Sequence, residues 1–288
     1  MTAPLTAPPT PSSRAAADAP AEPRARFRDL LAAEWLKLWS LRSTPWAYAV
    51  VFLAVVGFNA GTAYDTYRYW TSRDAASRAD FVRDGIALQE AFTGNAATLL
   101  VLAAGALGAT AVTGEYGTGL IRVTFAAVPA RGAVMAAKAA VVAAVMTALG
   151  ALIAVASFAA TQAILSGRDL GVPFDHPGAA RVMAASALLL PVGALTGMAI
   201  GTLVRHTGTT IVLAVVTLII LPVVFSSERH WSAVVAHTMP YEAWHRLTQP
   251  DTFQSPYPWS TGGAWTVYAV WALAAALITV AGVRRRDQ

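Results

Sequence analysis

Apolar positions run along this chain in long blocks, and a few short polar stretches separate them. Blocks of about twenty residues or more at 45–63, 91–113, 139–166, 182–204, 207–225 and 264–283 contain no Asp, Glu, Lys or Arg. Twenty helical residues at about 1.5 Å each match the roughly 30 Å hydrocarbon core of a bilayer. Each block therefore predicts a membrane span, and the fold class is an all-α membrane protein with six transmembrane helices. The third block would measure about 42 Å as a helix, so it is expected to tilt, or to project beyond the bilayer next to residues 113–138. The fourth and fifth blocks are separated by little more than Arg205 and His206, which predicts a tight hairpin.

The polar stretches carry the organisation. Residues 113–138, TGEYGTGLIRVTFAAVPARGAVMAAK, interrupt the second and third blocks. Glu115, Thr118 and Arg122 recur at helical spacing on one face, with Ile121, Phe125 and Val128 on a neighbouring face. Gly114, Gly117 and Gly119 loosen the start, and Pro129, Arg131 and Gly132 turn the chain back. The pattern predicts a short amphipathic helix at a hairpin tip, which either docks on a partner or rests on lipid headgroups. Ahead of the first block, residues 24–44 set Phe27, Leu30, Leu31, Trp35, Leu38 and Leu41 in a stripe, with Arg28, Glu34, Lys37 and Arg42 between. This is the pattern of a helix in the membrane interface, with Trp35 and Trp39 at headgroup level and basic side chains on anionic phosphates. Residues 1–23, rich in Ala, Pro, Ser and Thr, have too little apolar surface to order and no signal-peptide core. They are expected to form a disordered cytoplasmic tail, and residues 284–288 a basic one.

Two further connections are longer than turns. Residues 64–90 interleave Asp65, Asp74, Asp80, Asp84 and Glu90 with Arg68, Arg73, Arg78 and Arg83, which predicts a solvated helical excursion with i, i+4 pairs. Residues 226–263 hold Trp231, Met239, Tyr241, Trp244, Leu247, Phe253 and Trp259. That is too aromatic for a free loop and predicts a re-entrant helical hairpin broken at Pro240, lying over the spans.

Composition agrees: 56% hydrophobic against 13% charged residues is too apolar for a water-facing surface. The net charge of +5 comes from basic residues at the edges of the apolar blocks, and these act as topology signals without forming a nucleic-acid surface. Most Lys and Arg, including Arg284, Arg285 and Arg286, fall on one side when both termini are placed in the cytoplasm. The absence of Cys excludes disulfides and thiolate metal sites.

The six blocks hold only neutral polar groups, such as Asn59, Asn95, Thr110, Thr147, Gln162, Thr196 and Thr217. Proton- or sodium-driven transport usually needs an ionisable group at membrane depth. No GxxxxGK[ST] phosphate loop occurs, so energy from ATP would have to arrive through another chain. His230, His237 and His245, near Glu228 and Glu242, have no metal-ligand spacing, and no reactive constellation is evident elsewhere. Close packing is plainer. Gly193, Gly197 and Gly201 form two overlapping GxxxG steps, and Gly57 with Gly61 forms another, serving contacts within one copy or across a pair. Pro191 and Pro222 should kink their spans.

The segments AEWLKLWSLRST at 33–44 and VTGEYGTGLIRVTFAAVPARGAVMAAK at 112–138 resemble the membrane-spanning subunits of bacterial type 2 ATP-binding-cassette (ABC) exporters. The resemblance covers about 40 residues, with the six-span layout extending over the rest. It implies a permease subunit in the bacterial cytoplasmic membrane, non-catalytic, paired with a second permease subunit as homodimer or heterodimer and with ABC ATPase subunits that hold ATP and Mg. It implies an interfacial connecting helix carrying Glu34, Trp35, Lys37 and Arg42, and a coupling helix with Glu115, Tyr116, Arg122 and Arg131 at or near the ATPase. Glu115 is expected to cap the coupling helix or to pair with Arg122, or else to be a solvated charge. A membrane scaffold or assembly subunit without a transport path is the alternative.

Overall fold

A computed structural model describes residues 25–225, 229–250 and 256–284, and they are helical almost throughout. Six helical stretches are long and apolar enough to cross a membrane: Ser43–Ser72, Ile86–Thr118, Arg131–Ser166, Ala179–Val204, Thr207–Val224 and Thr261–Val283. The tail expected at 1–23 and all but the first residue of the one at 284–288 lie outside the described residues, as do Glu228 and Phe253.

Helix α1 (Phe27–Ser40) leads into α2 (Ser43–Tyr69), the first long helix. A connection containing α3 (Ala75–Arg83) and α4 (Ile86–Gln89) precedes α5 (Gly94–Thr118). The short α6 (Leu120–Ala127) then joins α5 to α7 (Arg131–Ser166). Helices α8 (Ala179–Val204) and α9 (Thr207–Val215) form the expected hairpin, and α9 continues through a π turn at Val216–Ile220 into α10 (Leu221–Val224). Two short helices, α11 (His230–His237) and α12 (Pro240–Thr248), come before α13 (Thr261–Arg284).

Several boundaries differ from expectation, each for a local reason. Helix α2 runs on to Tyr69, and the connection after it is not merely solvated: Phe81 is buried edge-on to Trp70, beside Leu165 of α7. Its charges pair more locally than i, i+4, with Arg83 bound to Asp80 and to Asp84. Helix α5 passes through Gly114 and Gly117 and ends only at Gly119, whose φ of +74° suits a residue without a side chain. The short helix is therefore α6 alone, and Glu115 and Tyr116 belong to the end of α5. Beyond it, Pro129 lies in the link, so α7 starts at Arg131 and takes in Lys138. At 36 residues α7 measures about 54 Å, with its two extra turns on the α6 side. The break between α11 and α12 falls at Thr238–Met239, placing Pro240 in the first turn of α12, where its missing N–H removes no helical bond.

The core is organised around α8, which is buried along most of its length and packs against α5, α7, α9, α12 and α13. Glycine makes this possible. A Cβ on Gly197 would come 2.1 Å from the carbonyl oxygen of Gly105, and one on Gly108 would come 1.8 Å from that of Ala194. Gly193 sits over Ala104 and Gly201 over Thr113, so the GxxxG series of α8 serves the contact with α5 inside one copy. On the opposite flank Pro191 cannot donate to the Ala187 carbonyl one turn earlier. That oxygen is met by Gly150 of α7, where a Cβ would approach it to 2.1 Å. At Gly57 and Gly61 of α2, by contrast, an added Cβ would find nothing within 4 Å.

Neutral polar groups tie the interior together. The Asn59 amide donates to Ser157 Oγ at 3.2 Å and its oxygen accepts from the Thr93 backbone N–H and hydroxyl, joining α2, α7 and the start of α5. Gln162 donates to the Ala87 carbonyl and accepts from Val172 N–H. The Trp244 indole of α12 donates to Ser186 of α8 at 3.0 Å, and with Leu247 it is buried against the bundle. Between these groups lies a cavity of about 20 Å³, room for one water.

Gly197→Ala and Gly150→Ala are each expected to destabilise the protein by about 1–3 kcal/mol or more, because backbone must shift. Gly57→Ala should stay within about 0.5 kcal/mol. Reversible unfolding of purified monomer in mixed micelles distinguishes the two classes.

Candidate functional site

The charged residues that the sequence places around residues 113–138 come together where α1, α5, α6 and α7 meet. Lys138, in the second turn of α7, is buried between two carboxylates. Its Nζ donates to Glu34 of α1, and to Glu115 Oε1 of α5 at 2.8 Å. Lys37, one turn beyond Glu34 on α1, donates to Glu34 at 2.7 Å and to Glu115 at 3.4 Å. It also reaches the Thr124 hydroxyl of α6 at 3.5 Å, the outer limit of a hydrogen bond. Two lysines and two glutamates thus form one closed, electrically neutral network across three helices, with α6 touching it through Thr124. The Lys138 and Glu34 side chains are 7% and 4% exposed, so water does little to screen them.

Burial alone would lower the Lys37 pKa. The hydrogen bond to Glu34 and the negative charges of Glu115 and Glu34 outweigh it, and hold the ammonium above its ordinary value of 10.5. Under the network lies an apolar seam of Leu30, Val134 and Ala137, against which Leu31, Phe125, Val128 and Ala133 pack. The apolar face of α6 therefore docks on its own bundle. Ile121 is buried, while Leu120, Arg122 and Val123 are exposed.

The expected role of α1 needs correcting in one respect. Trp35, Leu36 and Trp39 do face outward, but Glu34 and Lys37 point inward and Lys37 is engaged by glutamates. Arg42, at the link to α2, is exposed. Glu115 likewise takes Lys37 and Lys138 as its partners and does not cap α6, whose N-terminus is Gly119 without a side-chain cap. The expectation that charge is absent from the six spans also changes, because Glu115 and Lys138 fall inside the long helices once their true ends are known.

The other side of α6 is different. Tyr116, Ile121, Arg122, Phe125, Ala126, Arg131 and Arg205 line a cleft of about 670 Å³. Arg205 comes from the turn between α8 and α9, where its φ of +59° places it in the left-handed region. Such a conformation in a residue with a Cβ costs about 1–3 kcal/mol and persists when its surroundings fix it. Here its guanidinium lies 4.9 Å from the centre of the Tyr116 ring, and its backbone N–H closes onto Gly201. Thr207, two residues on, donates to Thr113 of α5. Arg131 stands 5.6 Å from the Phe125 ring centre.

Three of the four residues expected at the coupling contact, Tyr116, Arg122 and Arg131, therefore share this cleft, and Glu115 sits in the network behind it. Lys138 and Arg205 are the residues that sequence reasoning missed. The available signal for Lys138 was its position against an apolar run, where a charge needs a partner. Arg205 gave only the signal of a turn residue.

Compared with known protein families and with curated proteins, the chain matches none.

Removing one member of a buried ionic network strands its partners. Lys138→Ala is expected to cost about 3 kcal/mol or more, read as the midpoint shift in the same unfolding assay, with Lys138→Arg losing less. For Lys37, whose folded pKa is raised, the stabilisation is complete below its ordinary value of 10.5 and is lost as pH rises through the folded value. A Tm profile from neutral to strongly alkaline pH should fall above that value, and Lys37→Met should flatten this part of the fall.

Proposed function

We propose that the chain is the permease subunit of an ATP-driven exporter of the ABC type in a bacterial cytoplasmic membrane. Both termini are cytoplasmic in this reading, α1 lies in the interface, α6 is the coupling helix, and α11–α12 form a re-entrant hairpin on the far side. A separate ATPase subunit holds ATP and Mg and drives α6. Two permease copies, identical or different, enclose the pathway.

The observation that carries the reading is the Glu34–Lys37–Glu115–Lys138 network. Coupling needs a lever, since force applied to a short helix reaches the spans only if that helix is rigidly attached to them. Here α6 is followed within four residues by α7 and preceded by α5 across a single glycine, and charges from α1 join the ends of α5 and α7 on either side of it. A push on α6 is thus delivered to the first turns of a 36-residue helix. The cavity of about 20 Å³ among α2, α5, α7, α8 and α12 is too small for a solute, and this reading puts the pathway between copies. The exposed tryptophans of α1 support its contact with lipid.

The same close packing favours a second reading, a membrane scaffold or assembly subunit with no pathway. The two part on whether ATP moves α6.

The absence of native Cys makes the test direct. A single Cys at the exposed Val123 should be modified by an impermeant thiol reagent only from the cytoplasmic side. Labelling from outside intact cells would end the proposal. With a spin label at that site in the reconstituted complex, ATP and Mg should shift the distance between paired copies. Glu115→Ala should insert normally yet lose most of this shift and of ATP-dependent transport. No shift in the wild type would favour the scaffold.

A further inference from the structure

The charge network on α1, α5 and α7 is open on one side. A cavity of about 320 Å³ lies between these helices, and Glu34, Lys37, Glu115 and Lys138 all line it. Its two ends are unlike. Glu115 and Lys138 stand at one, while Ala111 and Val142, a turn farther from α6 on the same two helices, wall the other. From Thr118 to Thr110 the cavity follows α5 for about 12 Å. Gly114 keeps this wall low: it belongs to the lining, and a Cβ added there would meet nothing within 4 Å.

Hydrogen bonding at the polar end decides what kind of group it can take. Lys37 Nζ donates to Glu34, Glu115 and Thr124, which uses all three of its N–H groups. Lys138 is buried with its Nζ on both glutamates. An anion would have to displace one of these contacts. Glu115 is different, because its Oε1 accepts from both lysines while its second oxygen has no hydrogen-bond partner among the described residues. A carboxylate oxygen in a side chain only 12% exposed is best met by an N–H donor that carries positive charge. Since the four charges of the network already sum to zero, that cation is best accompanied by its own anion.

We infer that the cavity binds phosphatidylethanolamine. Its primary ammonium donates to the second oxygen of Glu115, its phosphate lies at the exposed rim beside Ser40 and Thr118, and one acyl chain starts along Leu38, Ala111 and Val142. The volume is about ten times a water's share of the liquid, which suits a headgroup and the first carbons of a chain. The rest of the chain continues along the exposed Leu41. The exposed Trp35 and Trp39 of α1 suit headgroup depth. Phosphatidylcholine has no N–H to donate, and phosphatidylglycerol carries no cation. Such a site requires a membrane around the long helices and is independent of any ATPase.

Native mass spectrometry of the full chain, in micelles doped with equal amounts of the three lipids, measures the preference. Phosphatidylethanolamine should occupy one site per chain, favoured about tenfold or more over either competitor. Its N,N-dimethyl derivative, which retains one N–H, should fall between it and phosphatidylcholine. Gly114→Leu fills the cavity without changing the network and should abolish the preference. Gly117→Leu, equally open at its Cβ but outside the lining, should keep it. The lipid series on the wild type stands whether or not a variant folds. Equal occupancy by the three lipids, a preference for phosphatidylglycerol, or a preference that survives in Gly114→Leu overturns the inference. So does displacement by soluble phosphoethanolamine at the lipid's own concentration, which would assign the site to a free amine.

Discussion

Two lysines and two glutamates that meet largely out of water have few satisfactory arrangements, and the junction of α1, α5, α6 and α7 is built around the one adopted here. Each lysine contacts both glutamates, so no member is left with an uncompensated charge. The energetics of such networks are asymmetric. Replacing the whole set with well-packed apolar groups is often neutral or stabilising, whereas deleting one member costs about 3–5 kcal/mol. Its effect is therefore felt less in net stability than in geometry. Glu34 meets Lys138 only at one rotation of α1 about its axis, and Glu115 meets both lysines only if α5 continues through Gly114 and Gly117. The ionic constraint and the helical register imply each other.

The same constraint explains how a region so rich in glycine can act as a stiff unit. Gly in a helix interior costs about 1 kcal/mol relative to Ala, and three glycines in six residues would ordinarily fray the end of α5. Glu115 and Tyr116 lie between them and are held, the first by lysines and the second under Arg205. The chain turns at Gly119, the first of these glycines to leave the helical conformation. Farther into the bundle, glycine has the opposite use. At Gly108, Gly150 and Gly197 it lets helices approach until backbone meets backbone, and the polar ties through Asn59, Gln162 and Ser186 fix their register. An interior packed in this way is far from fluid.

Histidine chemistry, which the aromatic connection before α13 invites, takes a different form. His237 stacks on Trp259 at 4.5 Å and His230 lies edge-on to Tyr257, so these rings are part of aromatic packing. Among the described residues no three His, Asp or Glu side chains converge in the manner of a metal site.

Much of the architecture was legible in one dimension, because a bilayer imposes a length and a polarity that can be read without knowing any contact. The six long helices, the α8–α9 hairpin, the short helix between the second and third spans and the break before Pro240 all follow from runs of apolar residues and from backbone chemistry local to Gly and Pro. Helix ends were less legible. Whether α5 stops at Gly114 or Gly119, and whether α7 starts at Arg131 or Ala139, depends on partners that stabilise the extra turns, and those partners are distant in sequence. The site shows the same division. The resemblance of residues 112–138 to a family's motif implied Glu115, Tyr116, Arg122 and Arg131 as candidates, but the partnership of Glu34 with Lys138, 104 residues apart, exists only once the helices are packed. The membership of Arg205 in the cleft exists only once the α8–α9 turn has docked on Tyr116. Hydrophobicity is a property of each residue and survives in the sequence. Charge pairing is a property of distance, and distance belongs to the folded chain.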